Sequence, residues 1–168
     1  VVSGREEVIR VSGTRDALWR ALQEVKDPEI PTVSLVDLGM IHRLQVAGDR
    51  VTVEILPTFV GCPALEIIRR DVRERLLRVD GVADVSVKFV YHPPWTTERI
   101  TEEGRKQLAS FGIAPPRDPG NHPLDIVPPC PYCGAEGGEI HNLFGPTACR
   151  SIFYCRRCRQ PFEGMKPV

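Results

Sequence analysis

Four cysteines late in the chain come as two C-x-x-C pairs, Cys130 and Cys133 in "CPYCGAEGG" and Cys155 and Cys158 in "YCRRCRQPF". A C-x-x-C turn can aim both sulfurs at one point about 2.3 Å away, the Zn–S distance, and two such turns complete a tetrahedral four-cysteine site. Zinc is the expected ion, with iron as the alternative. Four thiolates around a divalent ion leave about two units of excess negative charge. Arg150, Arg156, Arg157 and Arg159 could offset it, or could simply form a solvated surface. His141 reads as an ordinary strand histidine. Cys149 admits three readings: a buried small hydrophobe, a substitute ligand or a reactive thiol.

The sixth cysteine has no such logic. In "PTFVGCPALEII" Gly61 allows a tight bend, and Pro63 suits the first position of a helix, so Cys62 is expected at or beside its N-cap. Free amides and the positive end of the helix dipole would there stabilise a thiolate, the form that binds soft metals or attacks electrophiles. A buried, inert small residue is the plainer alternative. "KDPEIPTVSLVDLGMI" adds Asp27, Glu29 and Asp37 in loops broken by proline. They read as turn and cap residues, or as groups that orient the thiol if the loop folds onto it. His92 and Trp95 could line a contact surface, and His42 faces out from a strand.

These side chains need elements to hold them. Ala17, Leu18, Ala21, Leu22 and Val25 have helical spacing, with Thr14 as the expected N-cap. "MIHRLQVAGDRVTVEILP" predicts two strands around a turn at Ala47-Gly48-Asp49. Leu65, Ile68, Val72, Leu76 and Val79 form one stripe of a helix over Pro63–Val79, and the arginines of "RRDVRERLLR" read as its solvated face. Val85, Val87 and Phe89 alternate as in a strand. Thr101 can cap a short helix reaching about Ser110.

The fold class is therefore α+β: a helix-strand-strand-helix-strand domain with its helices on one face of a sheet, followed by a zinc-ribbon module with four cysteine ligands. The expected division is residues 1–111 for the first domain, 112–129 for a proline-rich linker, and 130–168 for the ribbon. The ribbon is too poor in aliphatic residues to fold without a staple.

Composition narrows the function. The 168 residues carry 22 basic and 22 acidic side chains, and this balance argues against nucleic-acid or anionic-membrane partners. No apolar run approaches the roughly 20 residues that span a bilayer, and no signal-peptide core is present. The first residue is not methionine, as expected of a trimmed chain or one that followed a tag. Five of the six cysteines lie at or beyond Cys130, a clustering that suits intracellular metal binding better than a secreted disulfide scaffold.

"DPEIPTVSLVDLGMI", "TFVGCPALEII" and "GVADVSVKFVYHPPWTTERITEEGRKQL" together resemble the iron–sulfur assembly domain of SufT-like and cytosolic cluster-targeting proteins. With "CPYCG…GPTACRSIFYCRRC" added, the whole chain is similar to the PaaD (PaaJ) family of phenylacetyl-CoA epoxidase accessory proteins. That resemblance implies a cytoplasmic component of aerobic phenylacetate catabolism with no independent activity. It implies a role in iron–sulfur cluster assembly or delivery, with the reductase component of the ring oxygenase as client. It makes Cys62 the thiol for a transient iron, cluster or client contact, and Asp27-Pro28-Glu29 the acidic loop. Homo-oligomerisation stays open. A structural or regulatory subunit within the oxygenase complex is the alternative. A thiol enzyme lacks a motif-spaced histidine, and a DNA-binding ribbon is disfavoured by the neutral charge.

Overall fold

The computed structural model describes the backbone over residues 4–117 and 127–167, and side chains from residue 14 onward. The order is α1 (Gly4–Gln23), β1 (Ile41–Ala47), β2 (Arg50–Ile55), α2 (Leu65–Leu76), β3 (Asp84–Phe89), a 3-10 turn (Thr97–Arg99), α3 (Glu102–Ser110), β4 (Ile113–Ala114), β5 (Glu139–Asn142), β6 (Arg150–Tyr154) and β7 (Pro161–Met165). Among the described residues no helix is long and apolar enough to cross a membrane.

The first sheet has the order β1-β2-β3. Strands β1 and β2 form an antiparallel hairpin, and Gly48 turns it with φ +63. β3 runs parallel to β2, with α2 as the crossover. The alternation seen in the sequence is the packing pattern. Val51, Val53, Ile55, Val85 and Val87 are buried, and Ile68, Val72 and Leu76 of α2 are buried in the same core with Leu18 and Leu22 of α1. Each such side chain contributes about 1.5–3 kcal/mol over an exposed one.

Three local expectations shift. α1 begins ten residues before Thr14, which therefore lies inside the helix and not at its cap. Arg5, Glu6 and Glu7 are good helix formers, and nothing breaks the chain at Thr14. α2 begins at Leu65, with Ala64 in the N-cap position, two residues beyond Cys62. The α2 arginines are more than a solvated face. Arg69 and Arg73 donate to the carbonyls of Val87 and Val85, 3.0 and 3.3 Å away. Those carbonyls lie on the free edge of β3, so the guanidinium groups cover polar backbone that would otherwise invite another strand.

α3 is capped as expected. The Thr101 hydroxyl accepts from the Gly104 amide at 3.0 Å and donates to Asp37 Oδ1, also at 3.0 Å. Gly104 is needed there, because a Cβ would stand 2.5 Å from the Asp37 carbonyl oxygen. The second sheet, β4-β7-β6-β5, contains the ribbon strands and also Ile113–Ala114 from the proline-rich stretch, paired in parallel with β7. Ile113 and Met165 sit in the same core as the first sheet, so the ribbon packs on the first domain directly. Residues 118–126 of the proline-rich stretch lie outside the described residues.

Candidate metal centre and thiol cavity

The two C-x-x-C turns are built alike. The Gly134 amide donates to the Cys130 carbonyl at 2.8 Å, and the Arg159 amide donates to the Cys155 carbonyl at 2.8 Å. Each turn needs a left-handed residue directly after its second cysteine: Gly134 has φ 69 and Arg159 has φ 58. This brings the Sγ atoms of Cys130, Cys133, Cys155 and Cys158 within 4.8 Å of one another. Cys130 Sγ and Cys158 Sγ are 3.7 Å apart, and Cys133 Sγ and Cys155 Sγ 3.6 Å. A tetrahedron with arms of about 2.3 Å has edges of about 3.8 Å, so the four sulfurs fit one tetrahedral metal ion.

Backbone amides face these sulfurs. The Cys155 thiol is lowered to about 6, first by the hydrogen bond from the Cys158 amide and further by the Arg157 amide. Cys158 is pushed up to about 12 by desolvation and by hydrogen bonds with the Cys155, Cys130 and Cys133 thiols. One negative charge is thus accepted in the metal-free cluster at Cys155, and the next is resisted. His141 is exposed on β5 and stands outside the quartet, as does Cys149.

Of the arginines expected to offset the thiolates, Arg150 does something else. It is 7% exposed, bonded to Glu163 Oε2 at 2.6 Å and to the Thr147 hydroxyl at 2.9 Å, and it reaches Glu29 Oε2 at 3.7 Å. It ties the ribbon to the acidic loop of the first domain. Arg156 pairs with Glu139. Nothing in the sequence signals the Arg150–Glu29 pair, because its members are far apart in the chain and no motif or spacing links them.

The first domain's thiol faces a cavity of about 160 Å³. Cys62 and Glu29 line it from one side, and Thr147 and Cys149 from the ribbon. Phe59, 45% exposed, lies in its wall and is followed by Val60, 76% exposed. An adjoining apolar cavity of about 330 Å³ shares Phe59 and Cys149 and is lined further by Trp95 and Met165. A larger cavity, about 830 Å³, has no thiol in its wall.

The acidic loop divides in two. The Asp27 carboxylate accepts from the Glu29 amide at 2.8 Å and the Ile30 amide at 3.0 Å, which folds the loop so that Glu29 enters the cavity wall. Burial pushes the Asp27 carboxyl up, against those two amides and Arg150. Asp37 is buried elsewhere, bonded to Ser34 at 2.7 Å, to Thr101 and to Gln23. It is a structural tie between loop and helices. Trp95 is also core, 3% exposed, with its indole N–H donating to the Leu38 carbonyl at 2.8 Å.

Cys62 differs from the expectation of a primed thiolate. Its thiol is raised, first by desolvation, and then by the facing Glu29, Asp27 and Cys149. The Ala64 amide opposes this. The physical reason is position: a residue two places before the N-cap meets one amide and little of the dipole, whose effect is confined to the first turn.

Comparison with known proteins agrees with this two-part architecture. Residues 15–89 match a family described as iron–sulfur cluster assembly protein, and residues 116–166 match the PaaD zinc beta ribbon domain. The chain is 34% identical over 154 residues to an Escherichia coli (strain K12) protein named as one of the subunits of 1,2-phenylacetyl-CoA epoxidase, covering 90% of this chain and 92% of that one. It is 38% identical over 96 residues to a Porphyromonas gingivalis Fe-S protein maturation auxiliary factor, covering 56% of this chain and 90% of that one. A solved Bacillus anthracis domain of unknown function, DUF59, superposes with a TM-score of 0.53 at 28% identity, covering 58% of this chain and 92% of that one.

Proposed function

The chain belongs to the PaaD family, an iron–sulfur assembly domain carrying a zinc β-ribbon, and from that membership we propose that it is a maturation factor of a phenylacetyl-CoA epoxidase system. It assists assembly or delivery of an iron–sulfur cluster to the reductase component of that system. Cys62 is the working thiol, holding iron or a cluster transiently or contacting the client, and the Asp27–Glu29 loop is its acidic neighbour. The quartet of Cys130, Cys133, Cys155 and Cys158 holds a structural zinc that staples the ribbon. The protein acts in the cytoplasm, where thiols stay reduced.

The observation that carries this reading is the setting of Cys62. Within an assembly-type domain, half-buried Cys62 lies in the wall of a small cavity together with the Glu29 carboxylate and the exposed Phe59, which is followed in the chain by exposed Val60. A buried inert cysteine needs no cavity, and the apolar rim suits a protein client.

The test is replacement of Cys62 by alanine in cells that express the epoxidase system. The reductase component should be purified without oxygen, and its iron, sulfide and absorption spectrum measured. Reduced occupancy is expected; full occupancy would overturn the proposal. A second reading, a subunit held within the oxygenase complex, is favoured by the name of the Escherichia coli relative. Co-elution with the oxygenase components at fixed stoichiometry would support it.

A further inference from the structure

Half of the wall around Cys62 comes from the other module. The cavity of about 160 Å³ is lined by Glu29, Phe59 and Cys62 of the first domain and by the consecutive ribbon residues 146–149. That ribbon segment is a loop closed on itself between β5 and β6. The Gly145 amide donates to the Arg150 carbonyl at 2.9 Å, and the Arg150 amide donates to the Thr147 carbonyl at 3.1 Å. The Cys149 carbonyl accepts from the Lys166 amide at 2.9 Å, just beyond β7. Arg150 then holds the loop to the first domain. Its guanidinium is bonded to the Thr147 hydroxyl at 2.9 Å and reaches Glu29 Oε2 at 3.7 Å. The adjoining cavity of about 330 Å³ is also walled from both modules, by Phe59 and Val60 with Cys149 and Met165. The ribbon therefore meets the segment that carries Cys62 at two places.

We infer that the ribbon loop 146–149 is a cover on Cys62, an autoinhibitory contact that admits one small group to the thiol and excludes a folded protein surface until the loop moves. Size carries the first part. A cavity of about 150 Å³ accepts a single benzene-sized group, and pockets for larger ligands begin near roughly 300 Å³. At about 160 Å³, the space at Cys62 takes one side chain and no more. The strength of the fastening carries the second part. The charged contact between loop and first domain, Arg150 with Glu29, is longer than a hydrogen bond, and the Glu29 side chain is one-third exposed. A contact of that kind holds a loop at rest and can be exchanged for contacts with a client. Opening concerns the loop and not the whole module. Ile113 and Met165, buried in the first domain's core, keep β4 and β7 where they are.

This inference rests on the reading of Cys62 as the working thiol and adds what controls access to it. It is tested without oxygen on the full chain carrying one zinc in the quartet. Iodoacetamide and the much bulkier fluorescein maleimide are each applied at limiting amounts, and mass spectrometry follows the Cys62 peptide. Each rate is divided into the rate of the same reagent with the urea-unfolded chain, which gives a protection factor. The raised thiol slows both reagents alike, because both attack the thiolate. The ratio of the two protection factors therefore reads size alone. Protection against the maleimide should exceed that against iodoacetamide by about tenfold or more, as for an open loop populated at about 10% or less. Arg150→Met should lower this ratio by about fivefold or more, since it removes the bond to Thr147 as well as the contact with Glu29. Glu29→Gln should lower it by about twofold to fivefold. That variant leaves every bond within the ribbon in place, and it carries the test if Arg150→Met loses its zinc. Equal protection factors in the unmutated chain would overturn the inference, as would an unchanged ratio in either variant with its zinc in place. The two proposals separate in cells. If Cys62→Ala lowers reductase cluster occupancy while the protection factors are equal, the maturation role stands and the cover falls. If the reductase is fully loaded while the ratio is high and drops in the variants, the cover stands and the maturation role falls.

Discussion

The Arg150 guanidinium of the ribbon reaches the Glu29 carboxylate of the first domain at 3.7 Å. This contact crosses the boundary between the two parts of the chain, and it lies beside the cavity that holds Cys62 and Cys149. Arg150 is 7% exposed, and its other contacts, Glu163 and Thr147, belong to the ribbon. A residue so placed couples the geometry of the cavity to the folding of the ribbon.

Replacing Arg150 with methionine keeps much of the volume and removes the charge. It leaves Glu163 and Glu29 short of a partner, although both carboxylates keep some solvent. The expected cost is about 2–3 kcal/mol, the scale for losing hydrogen bonds to charged groups in a partly buried site. Urea unfolding of the metal-loaded chain measures it. A change below about 0.5 kcal/mol, the range of an ordinary surface substitution, would show that the pair does not tie the modules together.

Metal binding at the quartet should depend on pH in two regimes. Cys158, pushed up to about 12, gives up a proton on binding at any ordinary pH. Cys155, lowered to about 6, is already ionised above that value and gives up a proton only below it. Acidification therefore weakens binding throughout, and the dependence steepens by one proton as pH falls through about 6. Competition against a chelator across that range checks the break. Metal removal should cost hydrogen-exchange protection in β5–β7 first, since the ribbon's own core is a handful of residues around Phe153 and Phe162.

Arg159 carries the left-handed backbone conformation that Gly134 carries in the matching turn. For a side chain with a Cβ this conformation costs about 1 kcal/mol. Arg159→Gly should therefore be neutral or stabilising by up to about that amount, despite the greater freedom it adds to the unfolded chain. Gly134→Ala should destabilise by about 1 kcal/mol, although open space surrounds the position. Thermal unfolding of the two metal-loaded variants distinguishes them by sign.

The Cys62 thiol should alkylate slowly near neutral pH, because its ionisation is pushed above the ordinary thiol range. Asp27→Asn keeps an oxygen for the Glu29 and Ile30 amides while removing a charge that faces the sulfur. That variant should alkylate faster at Cys62, with the rate-against-pH curve displaced to lower pH. It should also lose none of its stability at neutral pH, since burial holds the Asp27 carboxyl above its ordinary value and its ionised form is disfavoured in the fold. Mass spectrometry of the labelled peptide follows the rate; an unchanged or slower rate would remove the carboxylate from the thiol's surroundings.

Local rules made most of the architecture legible. Alternation in β2 and β3, the stripe of α2 and the Thr101 cap each depend on neighbours within a turn or a pleat, and each appears in the structure. The quartet was legible for the same reason, because C-x-x-C is a local code for two sulfurs that converge. The start of α1 was not, since the segment before Thr14 carries no periodic apolar stripe to mark it.

From sequence alone, then, the strands of the first sheet, the helices, the two ribbon strands β5 and β6 and the four-sulfur cluster followed, because each is set by spacing along a few consecutive residues; strands β4 and β7 did not. Only the tertiary structure decided that Glu29, Cys62 and Cys149 share a cavity, that Asp37 and Trp95 belong to the interior, and that Arg150 serves the module boundary. Those relations join residues with long stretches of chain between them. They also depend on desolvation, which sums over every group packed nearby and leaves no periodic trace.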